Sequence, residues 1–160
     1  LFKISQGNRN SDDQENKQVY AKMDFVKIFD FGIKNSLYIN FKSEILESDT
    51  YLSNELSRFG GAKSIRGFDE NSLFSNKYFL LITEYRYELS NTIYINSIFD
   101  IGNYENKLIN VYSNIYGVGI GVGLLTKGGL FSINYAVGSD WEDKIDTKNA
   151  RIHINFRSFF

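Results

Sequence analysis

Few residues of this chain have the types and spacing that catalysis needs. His153 is the single histidine, no cysteine occurs, and the nucleophile motif Gly-x-Ser-x-Gly is absent. A catalytic nucleophile needs a neighbouring base that activates it, and the sequence offers no such arrangement. We therefore expect no enzyme activity and no cofactor, and we expect His153 to be a hydrogen-bonding residue on the polar face of its strand.

The acidic residues do not match a metal-binding motif either. The segment with Asp140, Glu142, Asp143 and Asp146 has enough carboxylates for calcium, but it lacks the spacing of a calcium-binding loop. We expect a solvated loop there and no metal. The net charge of −1 argues against a nucleic-acid partner, for which a basic stripe would be expected.

The most informative stretch is residues 60–68, Gly-Gly-Ala-Lys-Ser-Ile-Arg-Gly-Phe, in the long interval 47–77 between predicted strands. An arginine is costly to leave unpaired away from water, and it can bind a carboxylate through two parallel hydrogen bonds. Glu84 and Asp100 fall on the polar faces of two later strands. We expect a loop-locking motif in which Arg66 binds one or both carboxylates inside the molecule; its members are Ile65, Arg66, Gly67 and Phe68.

The elements that would position these residues are β-strands. Apolar and polar residues alternate in eight segments, which we place at residues 1–7, 17–31, 36–46, 78–89, 92–102, 111–125, 130–137 and 150–160. Alternation with a period of two is typical of a strand with one apolar and one polar face. No apolar run reaches the length of about 18 residues that a membrane-spanning helix needs.

A transmembrane barrel, by contrast, combines low hydropathy with many aromatic residues, because only one face of each strand meets lipid. The mean hydropathy is −0.29, and the chain has 14 Phe and 11 Tyr. We predict an all-β fold, an antiparallel transmembrane β-barrel domain over residues 1–160 with eight strands. The connections are predicted to be long at 8–16, 47–77 and 138–149, medium at 103–110 and short elsewhere, which puts both termini on the periplasmic side.

One strand has a face without side chains, formed by Gly117, Gly119, Gly121 and Gly123. Such a face usually marks the close approach of another backbone segment, so we expect it near the long loop. The glycine spacing does not match a dinucleotide-binding fingerprint.

Taken in order, these motifs resemble a known family. The Ser-Ile-Arg-Gly-Phe motif, a strand with Glu84, the sequence Phe-Asp-Ile-Gly at 99–102 and a terminal aromatic are similar to the C-terminal half of barrels in the outer-membrane barrel-assembly and two-partner-secretion superfamily, which includes BamA, TamA and FhaC. The resemblance covers roughly residues 37–160. It implies that Arg66 docks against Glu84 and Asp100, and that the chain lies in the bacterial outer membrane and acts in protein insertion or polypeptide translocation.

The chain end resembles a targeting signal. Ile154, Phe156 and Phe160 follow the pattern by which outer-membrane barrels are recognised by their assembly machinery. An ordinary amphipathic strand would give a similar pattern.

The strand count does not decide how the barrel closes. Barrels of the resembling family have sixteen strands, and an eight-stranded barrel has no room for a folded loop of about 30 residues. Either half of the barrel is missing, or two copies close a sixteen-stranded homodimer, which we prefer. The expected partners are outer-membrane lipid, the second copy or missing half, and unfolded outer-membrane proteins as clients.

Two other functions stay open. Nothing matches the periplasmic polypeptide-transport domains that usually precede such barrels. The chain could therefore be a structural or pore-forming homodimeric barrel without insertase activity, or the membrane anchor of a larger passenger protein.

Overall fold

The chain forms one large antiparallel sheet of eight strands and one small sheet of two. The structure, a computed structural model, describes the backbone of residues 1–11 and 14–158 and the side chains of residues 1–8 and 17–158. Within these ranges, no helix is both long enough and apolar enough to cross a membrane. The strands of the large sheet, in the order in which they pair, are β1 (Phe2–Ser11), β2 (Gln14–Phe31), β3 (Asn35–Ser48), β6 (Lys77–Ser90), β7 (Ile93–Asn106), β8 (Val111–Thr126), β9 (Gly129–Asp140) and β10 (Arg151–Ser158).

The small sheet lies in the connection between β3 and β6. It consists of β4 (Ser57–Phe59) and β5 (Leu73–Ser75), which pair antiparallel. A short 3-10 helix, Thr147–Asn149, precedes β10. The connection of residues 49–76, which we call the inner loop, covers one face of the large sheet; we call that face the inner face.

The outer face of the large sheet is an apolar band. The register aligns its side chains across neighbouring strands, for example Phe41 with Leu81 and Leu81 with Ile101. Its members are half-buried or exposed: Ile120 is 67% and Phe99 53% accessible. Large exposed apolar side chains on one face of every strand are expected where lipid is the solvent.

The height of this band fits a bilayer. On β6 the outward apolar residues run from Phe79 to Leu89, which for a strand tilted by about 40° corresponds to roughly 25 Å along the membrane normal. At one border Lys77 forms an ion pair with Glu105, with 3.8 Å between Nζ and Oε2. The rings of Tyr116 and Trp141 meet edge to face at the same end of the sheet, 6.1 Å apart.

A hydrophobic core lies between the inner face and the inner loop. Phe59 and Ile65 of the loop pack against Tyr78, Leu80 and Ile82 of β6 and against Ile115 of β8. Phe59 stacks on Tyr78 with 4.7 Å between ring centroids. Full burial of such a side chain stabilises a fold by about 1.5–3 kcal/mol, so the inner loop is a packed part of the structure.

The large sheet has two edge strands. β1 and β10 stand at the ends of the strand order, and no backbone pairing joins them within the described ranges. The strands that the structure describes therefore form an open sheet and not a closed barrel.

The eight predicted strands are confirmed, but their ends differ from the prediction. The predicted loop at residues 8–16 is wrong, because β1 extends to Ser11 and β2 begins at Gln14, with Asn8 opposite Lys17. β7 and β9 likewise run on to Asn106 and Asp140. Backbone pairing needs no apolar side chains, so the ladders continue past the apolar band, where alternation no longer marks the strands.

Candidate functional site

The tip of the inner loop is shaped by glycines. Gly60, Gly61 and Gly67 have φ values of 108°, 98° and 90°, in the left-handed region that glycine adopts without steric cost. β4 and β5 hold the two arms of the loop together, with Phe59 opposite Leu73. The segment between them is thereby directed at the inner face of the sheet.

Arg66 is the centre of the contact between this tip and the sheet. Its side chain is 2% exposed. Nε donates to Asp100 Oδ2 at 2.8 Å and Nη2 donates to Asp100 Oδ1 at 2.6 Å, which is a two-pronged pairing. Nη1 donates to Glu84 Oε1, and the backbone N–H of Arg66 donates to Asp100 Oδ2 at 3.0 Å. The structure thus brings Arg66 together with both carboxylates named from the sequence.

Thr83 is a further member of this site that the sequence did not indicate. Its N–H donates to Asp100 Oδ1 at 3.1 Å, and its carbonyl oxygen accepts a bond from Arg66 Nη2 at 3.2 Å. The β6–β7 ladder pairs Leu81 with Ile101 and Glu84 with Ile98 but skips the two positions between them. We call Arg66, Thr83, Glu84 and Asp100 the Arg66 cluster. This cluster lies at a gap in the backbone pairing between β6 and β7.

Glu84 links the cluster to a second arginine. Its Oε2 accepts a bond from Arg86 Nε at 2.7 Å. The Arg86 guanidinium lies over the rings of Tyr38 and Tyr94, 4.6 Å and 5.1 Å from their centroids. Stacking on aromatic faces suits the planar, weakly hydrated guanidinium, so both arginines are held in defined orientations.

The charges of the cluster are matched when Arg86 is included. Burial alone would lower the pKa of the Arg66 guanidinium, but hydrogen bonds and charge attraction from Asp100 and Glu84 raise it. Asp100 is 0% exposed and accepts four hydrogen bonds, three of them from Arg66. A buried charge is tolerated only when it is paired and hydrogen-bonded, and each partner here meets that condition.

The glycines of β8 do not all face the inner loop. A Cβ added to Gly117 would lie 2.1 Å from the carbonyl oxygen of Arg66, so this glycine lets the loop backbone approach. The corresponding positions at Gly119, Gly121 and Gly123 would instead meet the backbone of β9, the side chain of Asn134 and the ring of Tyr94. The expectation that four glycines lie near the loop therefore holds for Gly117 and is corrected for the other three.

Strands β9 and β10 hold the rest of the tip. The N–H of Gly67 donates to His153 Nε2 at 2.9 Å, and His153 is 5% exposed. The Phe68 ring lies over Gly138, where an added Cβ would come within 2.5 Å of it. His153 thus acts here as a hydrogen-bond acceptor for the loop, whereas Gly138 as a contact was missed from the sequence.

An ion pair flanks this contact. Arg151 Nε donates to Asp69 Oδ1 at 2.6 Å and Nη2 donates to Oδ2 at 3.2 Å. The hydrogen bond from Arg151 lowers the pKa of the Asp69 carboxyl. Asp69 is therefore ionised at neutral pH.

The base of the inner loop has a separate anchor. Lys107, between β7 and β8, donates through Nζ to Glu47 Oε2 at 2.9 Å, and this hydrogen bond raises the pKa of Lys107. Its backbone N–H donates to Asn76 Oδ1 at 2.9 Å, and Asn106 Nδ2 donates to the carbonyl oxygen of Phe74 at 3.0 Å. The loop is therefore fixed at its tip and at its returning arm.

The predicted C-terminal signal lies partly within the described residues. Ile154 and Phe156 point outward from β10 and are 64% and 57% exposed. Phe160 lies outside the described residues, and its role stays a prediction.

Every contact of the site is a hydrogen bond, an ion pair or an apolar contact that fixes the loop. Across the described ranges, no three His, Cys, Asp or Glu side chains are grouped so that they could hold a metal ion. The acidic segment around Asp143 faces solvent, as Glu142, Asp143 and Asp146 are exposed. What this arrangement can do is hold a loop inside a sheet, or release it.

Comparison with known proteins agrees with the geometry. The profile of the Omp85 superfamily domain matches residues 12–160, while a search among curated proteins gives no match. The matched segment includes the complete inner loop and every strand that contacts it. The chain forms an eight-stranded antiparallel sheet with an apolar outer band and an inner loop fixed by Arg66, and this profile matches nearly its full length. The chain therefore belongs to the Omp85 superfamily of outer-membrane β-barrel proteins.

Proposed function

We propose that this chain is an outer-membrane barrel that takes part in the insertion of outer-membrane proteins or in polypeptide translocation, without catalysis. The observation that carries the proposal is the Arg66 cluster. It fixes a loop inside the sheet through charged groups that all need partners, so the loop has a defined docked position. The apolar edges of the sheet supply the second requirement, a place where another strand could add.

Closure of the barrel follows from the same edges. Open sheet edges are not tolerated in hydrocarbon, because unpaired backbone groups each cost several kcal/mol there. Phe2 and Ile4 on β1 and Ile152 and Ile154 on β10 are all exposed, at 64%, 62%, 68% and 64%. Both edge strands therefore belong to the apolar band, and we propose that β1 of one copy pairs with β10 of a second copy in a sixteen-stranded homodimer, with the termini on the periplasmic side.

Cysteine cross-linking tests the closure, because the chain has no cysteine of its own. Ile4→Cys and Ile154→Cys variants are mixed as single mutants in vesicles and oxidised. Cross-linked dimers are the expected result. Cross-linking only within one chain of the double mutant would show a narrow barrel of eight strands, and no cross-link in either case would show that the edges pair with something else.

Client folding tests the activity. The full chain in lipid vesicles should speed the folding of an unfolded outer-membrane protein, measured by its gel mobility without heating, or should carry an unfolded polypeptide to a protease-protected space. The cross-linked double mutant is the matched control: the closed seam should abolish the effect and reduction should restore it. A folded, membrane-embedded protein that does neither would refute the proposal and favour the structural, pore-forming barrel.

A membrane anchor for a larger passenger protein is the remaining candidate. No observation on the described residues favours it over insertion or translocation.

A further inference from the structure

A groove crosses the border of the apolar band, at the end of the large sheet where the inner loop joins β6. It has a volume of about 450 Å³, within the size range of small-molecule sites. Phe79, Leu81 and Ile101 line it from the outer face of β6 and β7. These three residues continue the lipid-facing band without a break.

The other end of the groove is polar but uncharged. Asn103 and Asn114 face each other across β7 and β8, and Trp141 lies beside them, where its backbone N–H donates to the carbonyl oxygen of Asn114 at 3.0 Å. No Lys, Arg, Asp or Glu is among the residues that line the groove. The Lys77–Glu105 ion pair lies one outward position further along the strands.

The two asparagines have unused hydrogen-bonding capacity. Asn103 is half-buried, and neither its side-chain amide nor that of Asn114 bonds to another described residue. An amide at the edge of hydrocarbon is costly without a partner. A ligand here should therefore present hydrogen-bonding oxygens next to an apolar chain.

We propose that this groove binds one acyl chain of a membrane lipid, with the linkage carbonyl of that chain at the Asn103 and Asn114 amides. The alkyl chain lies along Phe79, Leu81 and Ile101, where packing and not the hydrophobic effect holds it, because lipid tails are as apolar as the groove. Recognition through the neutral linkage, and not through a charged headgroup, follows from the uncharged lining. The proposal depends on the membrane location and is independent of any role in insertion.

Trp141 gives a direct test, because it is the single tryptophan of the chain. The full chain is placed in phosphatidylcholine vesicles with increasing fractions of phosphatidylcholine brominated near the carbonyl end of its chains, and quenching of Trp141 emission is measured. Ile101→Phe fills the groove. Ile95→Phe is the matched control, since Ile95 is an exposed outer-face residue of the same strand that does not line the groove.

The wild type and Ile95→Phe should show the same quenching, and Ile101→Phe should lose the part contributed by the bound chain. An Asn103→Leu/Asn114→Leu variant should lose it too, while keeping the folded gel mobility. Relief of quenching by added lipid A would assign the groove to lipopolysaccharide chains, and its absence would assign it to phospholipid. Equal quenching of the wild type and Ile101→Phe, or cross-linking of the groove to a second copy of the chain, would overturn the proposal.

Discussion

Substitution of Arg66 should release the inner loop. Arg66→Ala leaves Asp100 fully buried with two of its four hydrogen bonds, those from the backbone N–H groups of residue 66 and Thr83, and without its charged partner. Removing one partner of a buried ion pair costs about 3–5 kcal/mol. Since about 1.4 kcal/mol is a factor of ten, the docking equilibrium of the loop should fall by roughly a hundred-fold to several thousand-fold.

Limited proteolysis measures this equilibrium. Arg58 and Lys63 are exposed trypsin sites on the inner loop that the substitution leaves in place, and cleavage follows the open population when opening is faster than cutting. Arg157→Ala, an exposed arginine on β10, is the control and should cleave like the wild type. Equal cleavage of Arg66→Ala and the wild type, with normal folded mobility, would refute the docking role.

A double-mutant cycle separates the ion pair from other effects of the substitution. In Arg66→Met/Asp100→Asn both charges are absent, so the variant should be less sensitive than the sum of the single variants predicts. Glu84→Gln should have a smaller effect than Asp100→Asn, because the Glu84 side chain keeps 13% exposure and a second arginine. Additive single effects would show that Arg66 and Asp100 act independently.

Other substitutions test separate contacts of the loop and the chain end. Gly117→Ala should cost about 1–3 kcal/mol and raise loop cleavage, because its Cβ would meet the loop backbone, whereas Gly7→Ala on β1 has open space and should not; identical cleavage of the two variants would contradict the close approach. Asp69→Asn should weaken loop docking at neutral pH. A lowered carboxyl pKa gives stability that is present above the ordinary value of 3.8 and is lost as the pH falls through the folded-state value; a difference between wild type and variant that persists in strong acid would argue against the ion pair. Deletion of Phe160 should lower the yield of outer-membrane protein measured by membrane fractionation, and a normal yield would remove the signal role.

The alternation of apolar and polar residues predicted the strands, because a strand that crosses a membrane needs one apolar face. Residues such as Phe41, Leu81 and Ile101 must face lipid wherever a strand crosses the band. Beyond Asn8 the paired residues of β1 and β2 do not alternate, so the sequence predicts a loop where the structure has strands. The hydropathy pattern of a strand does not indicate whether its backbone is paired outside the apolar band.

Only some of the contacts of the inner loop could be predicted from the sequence. Arg66, Glu84 and Asp100 stand out because charges of opposite sign on an inner face need each other. Leu80 and Ile115 are apolar residues on that same face, and this departure from alternation was the available signal for a packed loop. The role of Thr83 had no signal, because it uses backbone groups that every residue carries.

The interruption of the β6–β7 pairing at Thr83 affects any movement of the inner loop. The N–H of Thr83 donates to Asp100, its carbonyl oxygen accepts a bond from Arg66, and its hydroxyl donates to the carbonyl oxygen of Phe99 on the neighbouring strand. If the loop withdrew, the Thr83 carbonyl would lose the bond from Arg66 and would need another partner. Rejoining of β6 and β7 at this point would restore a partner. Withdrawal of the inner loop and closure of the β6–β7 ladder at Thr83 are therefore coupled, and displacement of the loop would also change how firmly these two strands are held together.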